Sequence, residues 1–474
     1  MPPYAGLDEA WHVARVAFVR KEHRNPTIVE RSIPPYLAAS IGGRPGAMPA
    51  FGEMRQRWPD VVASGSVLVD RPFSAADLAP DQAPNYEAQQ PAPYYTLAAL
   101  APVTGAQDEL RALRLVAVFC GVVIALATFL IARRIAPNHA AFAAAMVVST
   151  PTWITLVVRA SNDAPACAAI AAAVAVTLSA PTALRAMIGE AIAWTLAVAL
   201  KLYAWPIAIL FPVLWRFQRG SFKRLAIVSF SALGAAAFTF CYLATHTRNP
   251  VGVFGFDAAK RASRVHPVPI DFLTMMKTTV ASAIWASGQH NDAMTTPAMA
   301  LYALPLLAAL ISGTWLLLRD HRALGLSLLW VVGAFAIAQM IVACAFIRQA
   351  RASGLALPLG GKEGWYWLAT APLIFGLVVP KLASRLWMFG LWLVVWDILI
   401  TEGALFHDFA GTSSPGHPSL LFRWGPWHVP FTANLHGVGV GPLASKTTLL
   451  RLVQLGALAA LIAVESSQRK VQHE

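Results

Sequence analysis

Two adjacent carboxylates, Asp8 and Glu9, stand near the start of the chain in Tyr-Ala-Gly-Leu-Asp-Glu-Ala-Trp-His-Val-Ala-Arg. Asp8, His12 and Arg15 recur at helical spacing and so share one face of a short helix. A carboxylate on such a face can take a proton from a hydroxyl. An adjacent pair can also supply oxygen ligands to a divalent ion. The plainer reading is a capped surface helix, with Asp8 as the N-cap or first-turn acid. A second group follows in Asn-Tyr-Glu-Ala-Gln-Gln-Pro-Ala-Pro-Tyr-Tyr, where Tyr86, Glu87, Gln89 and Gln90 precede two prolines and an aromatic pair. Its plainer reading is an anchor at the membrane–water boundary. A third lies in Arg159-Ala-Ser-Asn162-Asp163, whose last two residues also suit the cap of the helix that follows. Lys201 interrupts an apolar run: it either snorkels or holds an anion such as phosphate. Lys362, Glu363 and Tyr366 close the series in Gly-Lys-Glu-Gly-Trp-Tyr-Trp, a charged loop beside an aromatic belt.

The elements that must hold these groups are set by composition. The 474 residues are 57% hydrophobic and 13% charged, with a mean hydropathy of +0.55. Soluble domains carry roughly 25% charged residues, so the long apolar runs imply an all-α polytopic membrane protein. Net charge is +13, but the basic residues are scattered between apolar runs. That placement fits topology and anionic headgroups and argues against nucleic acid. Cys120, Cys167, Cys241 and Cys344 all fall inside apolar runs and read as packing residues, with no disulfide framework or thiolate metal site. No internal repeat, phosphate-binding glycine loop, zinc-ligand spacing or nucleophile elbow is present.

Residues 1–110 are not membrane-like. Amphipathic helices are expected from about Asp8 to Lys21 and from Pro93 to Leu100, separated by a stretch punctuated by Pro and Gly. About eleven spans follow over 111–464, near 112–132, 140–158, 164–180, 187–200, 202–217, 225–244, 298–318, 323–346, 365–380, 385–401 and 447–464. The pair 187–200 and 202–217 is short enough to be one broken or re-entrant element. Arg133, Arg134, Arg185, Arg216, Arg219, Lys223, Arg224, Arg319, Arg322, Lys381 and Arg385 fall in every second connection, which predicts a cytoplasmic side. The 465–474 tail is then cytoplasmic too. The N-terminal region, Arg159–Asp163, Lys201 and the loops 245–297, 347–364 and 402–446 lie on the outer side. An outer segment of 110 residues with no span or secretory signal before it predicts a further transmembrane helix upstream.

In their order along the chain, these motifs resemble the GT-C superfamily. Its members are membrane glycosyltransferases related to protein mannosyltransferases and to the lipid A aminoarabinose transferase. The resemblance covers most of the chain in layout, although each motif is short. It implies transfer of a sugar from a polyprenyl-phosphate carrier on the outer face, with an Asp or Asp-Glu pair in the first outer loop. By position, Asp8 then matches the base and Glu9 the second acid. His12 matches the histidine that follows the pair, and Glu87 the acid ahead of the proline turn. Two departures stand out. Gln89 occupies a position where many relatives have His, and Pro91-Ala92-Pro93-Tyr94 replaces Pro-Pro-Leu-Tyr. The span that delivers the acidic pair to the exterior is also absent from the sequence.

The expected activity is therefore inverting sugar transfer to a hydroxyl of a glycan, lipid or protein. Asp8 is the base, and Lys201, Arg159 and Lys362 are the cations for the lipid phosphate. Divalent-metal dependence stays open, with Asp8, Glu9 and Glu87 as candidate ligands. Sequence alone leaves room for other classes. A transporter or flippase would use ionisable groups within spans, where Glu190 and Asp397 fall without an opposite charge in the same span. A polysaccharide polymerase or ligase would use exterior Arg248, Arg261, Arg264 and His266.

Overall fold

The computed structural model describes residues 9–26, 90–103, 106–179, 184–201, 222–247, 296–352, 364–385 and 390–397, with scattered positions among 204–208, 276–284, 293–294, 399, 422–423 and 456. Their regular structure is helical apart from one two-residue antiparallel pairing, in which Ala293 faces Arg423 and Met294 faces Phe422. That pairing joins segments from two of the expected outer loops.

The first two helices precede the bundle. Helix α1 (Glu9–Glu22) carries an acid in its first turn and Arg20 and Lys21 in its last, each complementing the helix dipole. It stops at His23, whose φ of 53° puts it in the left-handed region. The His23 N–H closes the end on the Val19 carbonyl at 2.9 Å. Helix α2 (Pro93–Ala98) has proline in its first turn, where the missing N–H leaves no intrahelical bond unmade.

The spans begin with α3 (Ala106–Arg133), acidic at its start through Asp108 and Glu109 and basic at its end. Leu115, Phe119, Val122, Leu126 and Leu130 form an exposed stripe along one of its faces. An apolar stripe of that length, repeated on later helices, belongs against lipid. Among the described residues, four helices are long and apolar enough to cross a bilayer: Asp108–Arg133, Phe222–Tyr242, Pro297–Asp320 and Arg322–Ile341. These belong to α3, α8 (Phe222–Thr247), α9 (Thr296–Asp320) and α10 (Arg322–Ala352). The chain is an integral membrane protein.

The expectation of eleven spans is not matched among the described residues, which give four, or five with a bent pair. Residues 140–158 are not one straight span. They divide into α4 (Ala140–Val148) and α5 (Pro151–Val157), and the two arms are bent by 69°. Pro151 starts the second arm and cannot donate into the first. Residues 365–380 are likewise broken, into a 3-10 turn (Gly364–Ala369), α11 (Ala371–Leu377) and a second 3-10 turn (Val379–Arg385). Most of 202–217, and 447–464 apart from residue 456, lie outside the described residues.

The centre of the bundle is α6 (Asp163–Ser179), rich in alanine and buried along most of its length. Its small side chains let α3 and α7 (Leu184–Leu200) pack closely on either side. Helix α8 packs on α7, and α11 packs on α3. One correction concerns charge. Arg224, expected in a cytoplasmic loop, is buried at the start of α8 and forms an ion pair with Glu190 of α7, which is itself fully buried. Glu190 therefore has an opposite charge, supplied by the neighbouring helix.

Candidate active site

The start of α3, the start of α6 and the end of α7 meet at one end of the bundle, and α1 and α2 are packed there. Arg133, Arg134, Arg185, Lys223 and Arg322 are exposed at the other end. At that end Lys381 also bridges to Asp320 at 3.0 Å.

Helix α1 is enclosed rather than lying on a surface, since every residue from Trp11 to Val19 is buried. Its apolar side packs with Tyr94, Tyr95, Ala98, Leu110 and Leu113. Each polar side chain it brings inside meets at least one partner, as buried polar groups generally do. The Glu9 carboxylate takes two hydrogen bonds from Arg114 of α3, at 2.8 and 2.7 Å, and a third from the Ala160 backbone N–H at 2.9 Å. At the other end of α1, Arg20 pairs with Glu109 at 2.6 Å and donates to the Ala99 carbonyl at 3.1 Å.

Between these ends lie His12 and Arg15. The His12 Nδ1 is 2.8 Å from the Tyr95 hydroxyl. The Arg15 guanidinium covers the Tyr95 ring at 3.7 Å and donates to the Gln90 carbonyl and the Asn25 side chain, both at 3.0 Å. Burial holds the His12 pKa well below its ordinary 6.5, and the Lys201, Arg159 and Arg15 charges push the same way against the opposing Asp163. His12 is therefore a neutral imidazole at physiological pH.

The third component is the non-helical link between α5 and α6. Arg159 donates to Asp163 at 2.7 Å, and Lys201 forms an ion pair with the other oxygen of the same carboxylate. Lys201 also donates to Asn162 at 3.1 Å. The Asn162 amide faces the Gln90 side chain at 3.5 Å, which links this cluster to the α1 and α2 group. Lys201 is only 5% exposed, so it does not snorkel to water. Asp163 does not spend its carboxylate on a helix cap. Its own N–H bonds the Ser161 hydroxyl at 3.3 Å, and its oxygens go to the two cations.

Of the site residues expected from sequence, Glu9, His12, Gln90, Arg159, Asn162, Asp163 and Lys201 are thus brought together. Asp8, Tyr86, Glu87, Gln89 and Lys362 lie outside the described residues. Tyr366 falls in the 3-10 turn Gly364–Ala369, which packs on α5 and α6. Arg15, Tyr95 and Arg114 were not among the expected site residues. Arg15 carried a signal, three positions beyond His12 on the same helix. Arg114 had only its place in the first turns of a span. Among the described residues no three of His, Cys, Asp and Glu stand together. Glu9 fits poorly as a metal ligand, because Arg114 already holds both of its oxygens.

No protein-family model matches the chain, and no curated protein matches it. Among solved structures the chain is similar to ArnT from Cupriavidus metallidurans, in its crystal structure bound to undecaprenyl phosphate. The identity is 18%, over 97% of this chain and 76% of that one, with a TM-score of 0.41.

Proposed function

We propose that the protein is a GT-C-type glycosyltransferase that moves a sugar from a polyprenyl-phosphate donor to a hydroxyl acceptor at the extracytoplasmic face. One observation carries the reading: among the described residues, at the end of the bundle away from the exposed basic loops, two buried cations, Arg159 and Lys201, share a single carboxylate, Asp163, and a third buried cation, Arg15, acts with them on His12. The excess of positive charge in a low-dielectric place favours an anion, and the lipid phosphate supplies one. The order of the motifs along the chain, which resembles GT-C enzymes, points the same way.

In this mechanism the acceptor oxygen attacks the anomeric carbon as the bond from that carbon to the phosphate oxygen breaks, with inversion. Asp8, covalently next to Glu9, takes the acceptor's proton. The electron pair of the broken bond stays on the lipid phosphate, which leaves as a stable anion and needs no general acid. That distinguishes the reaction from glycoside hydrolysis, where a second carboxyl must protonate the leaving group. Arg15, Arg159 and Lys201 hold the growing phosphate charge, and neutral His12 and Asn162 offer hydrogen bonds to hydroxyls.

The test is transfer by purified protein in lipid nanodiscs, offered a set of polyprenyl-phosphate pentoses and hexoses in turn. Asp8→Asn should reduce kcat by roughly 10²-fold or more, as loss of a general base does. Lys201→Met should act mainly through the KM for the donor. Full transfer by the Asp8→Asn protein would remove the proposed base.

A further inference from the structure

Glu9 is the carboxylate nearest the proposed base in the chain, yet its surroundings are not those of a proton acceptor. It is fully buried, and the Arg114 fork occupies both oxygens in a bidentate, charge-assisted pair. An oxygen so engaged has little freedom to receive a substrate proton. What Glu9 does hold is the backbone of the link that carries the cations. Between Val157 and Asp163 the chain is not helical, and beyond Val158, whose N–H still reaches the Ile154 carbonyl, its N–H groups need acceptors other than the helical ones. The Ala160 N–H finds Glu9 at 2.9 Å, directly after Arg159 and two residues before Asn162.

The clamp has a second point. Arg20, eleven residues further along α1, pairs with Glu109, five residues before Arg114 on α3. Those separations are about 16 Å along α1 but only about 8 Å along α3. Helix α1 therefore crosses α3 obliquely, running the opposite way, and is pinned at both ends. The Glu9 end lies over a turn deeper into the bundle than the Arg20 end. Each pin pairs one acid with one base, so neither changes the charge of the cluster.

We infer that Glu9 is a positioning residue, which fixes the Arg159–Asp163 link to α1 and α3 through the Ala160 N–H and Arg114 and so sets where Arg159 and Asn162 stand. This rests on the proposed function for what those residues bind, but the clamp itself can be measured without turnover.

The experiment is hydrogen–deuterium exchange on the full-length protein in nanodiscs, followed in the peptide containing Ala160, with donor kinetics in parallel. In Glu9→Ala the Ala160 amide should exchange about tenfold faster or more, while peptides at the exposed basic end keep their rates. Glu9→Gln, which retains an acceptor oxygen, should fall between Glu9→Ala and wild type. In Glu9→Gln the KM for the donor should rise severalfold, and the pH profile of kcat should keep its shape. Unchanged exchange at Ala160 in Glu9→Ala would overturn the inference. So would a Glu9→Gln enzyme whose kcat collapses and loses its basic limb with KM unaltered, because that marks a proton acceptor. Should Glu9→Ala fail to accumulate, Glu9→Gln and Arg114→Lys carry the same exchange test, and wild-type rates in both would overturn it. Transfer that survives Asp8→Asn strikes the proposed function, whereas the exchange result concerns only the clamp.

Discussion

Replacing Asp163 by Asn removes the carboxylate that holds Arg159 and Lys201 together, and the consequence depends on what the cluster is for. The three side chains are 3–7% exposed, so the pairs are shielded from water. Breaking a buried pair by removing one partner costs about 3–5 kcal/mol, because the remaining charge is left uncompensated. Asp163→Asn should therefore unfold at a clearly lower temperature. If the cluster receives phosphate, an added phosphate replaces the missing charge in the variant but must compete with Asp163 in the wild type. Recovery of about 1.4–2.8 kcal/mol corresponds to phosphate binding about 10–100-fold more tightly in the variant. The assay is thermal unfolding of detergent-solubilised protein by tryptophan fluorescence, titrated with inorganic phosphate against chloride at matched ionic strength. Ligand that binds the folded form raises the midpoint with its concentration. The midpoint of Asp163→Asn should rise further per addition of phosphate than that of the wild type. Equal shifts in the two proteins would refute the reasoning, since the uncompensated cations would then show no preference for an anion.

Three further outcomes follow from the same structure. His12 is held neutral when folded but accepts a proton below about pH 6.5 when unfolded, so stability is complete above that pH and falls as pH drops through it, by at most about 1.4 kcal/mol per unit. His12→Gln should flatten this part of the curve of unfolding midpoint against pH between about 7.5 and 5. Glu190→Gln or Arg224→Met alone should each cost about 3–5 kcal/mol, whereas Glu190→Leu with Arg224→Met should sit close to wild type, which a double-mutant cycle of unfolding midpoints would read. In Gly376→Ala the new Cβ would stand 2.6 Å from Ile131 Cγ2 and 3.3 Å from the Thr128 carbonyl oxygen, so separation of α11 from α3 should cost about 1–3 kcal/mol in the same thermal assay.

Much of the layout is legible in the residues. Helix α1 runs over Glu9–Glu22 against an expected 8–21, α2 begins at Pro93 as expected, and the apolar runs of α3, α8, α9 and α10 emerge as helices. The grouping of His12, Gln90, Asn162, Asp163 and Lys201 at one end of the bundle was also visible, because polar residues at the ends of apolar runs are few. What the pattern could not supply is pairing between helices. Arg224 and Arg114 read as ordinary flanking charges until Glu190 and Glu9 stand opposite them, and hydropathy along one helix carries no information about its neighbour. The enclosure of α1 was hidden for the same reason: its charged residues suggest a wet face, but their partners lie 75 or more positions away in several cases. The break in α4 and α5 did have a sign, Ser149-Thr150-Pro151, which a count of apolar residues overlooks.

The enclosure of α1 from Trp11 to Val19 also implies an order of assembly. Its side chains find their hydrogen-bond partners on segments made later by the ribosome, from Gln90 through Arg114 to Ala160. Until those helices are in the bilayer, Glu9, His12 and Arg15 have no dry place to go and remain hydrated at its edge. The last step of maturation is then the docking of an early-made helix into a finished bundle, and His12 and Arg15 join Gln90 and Tyr95 only when that step is complete.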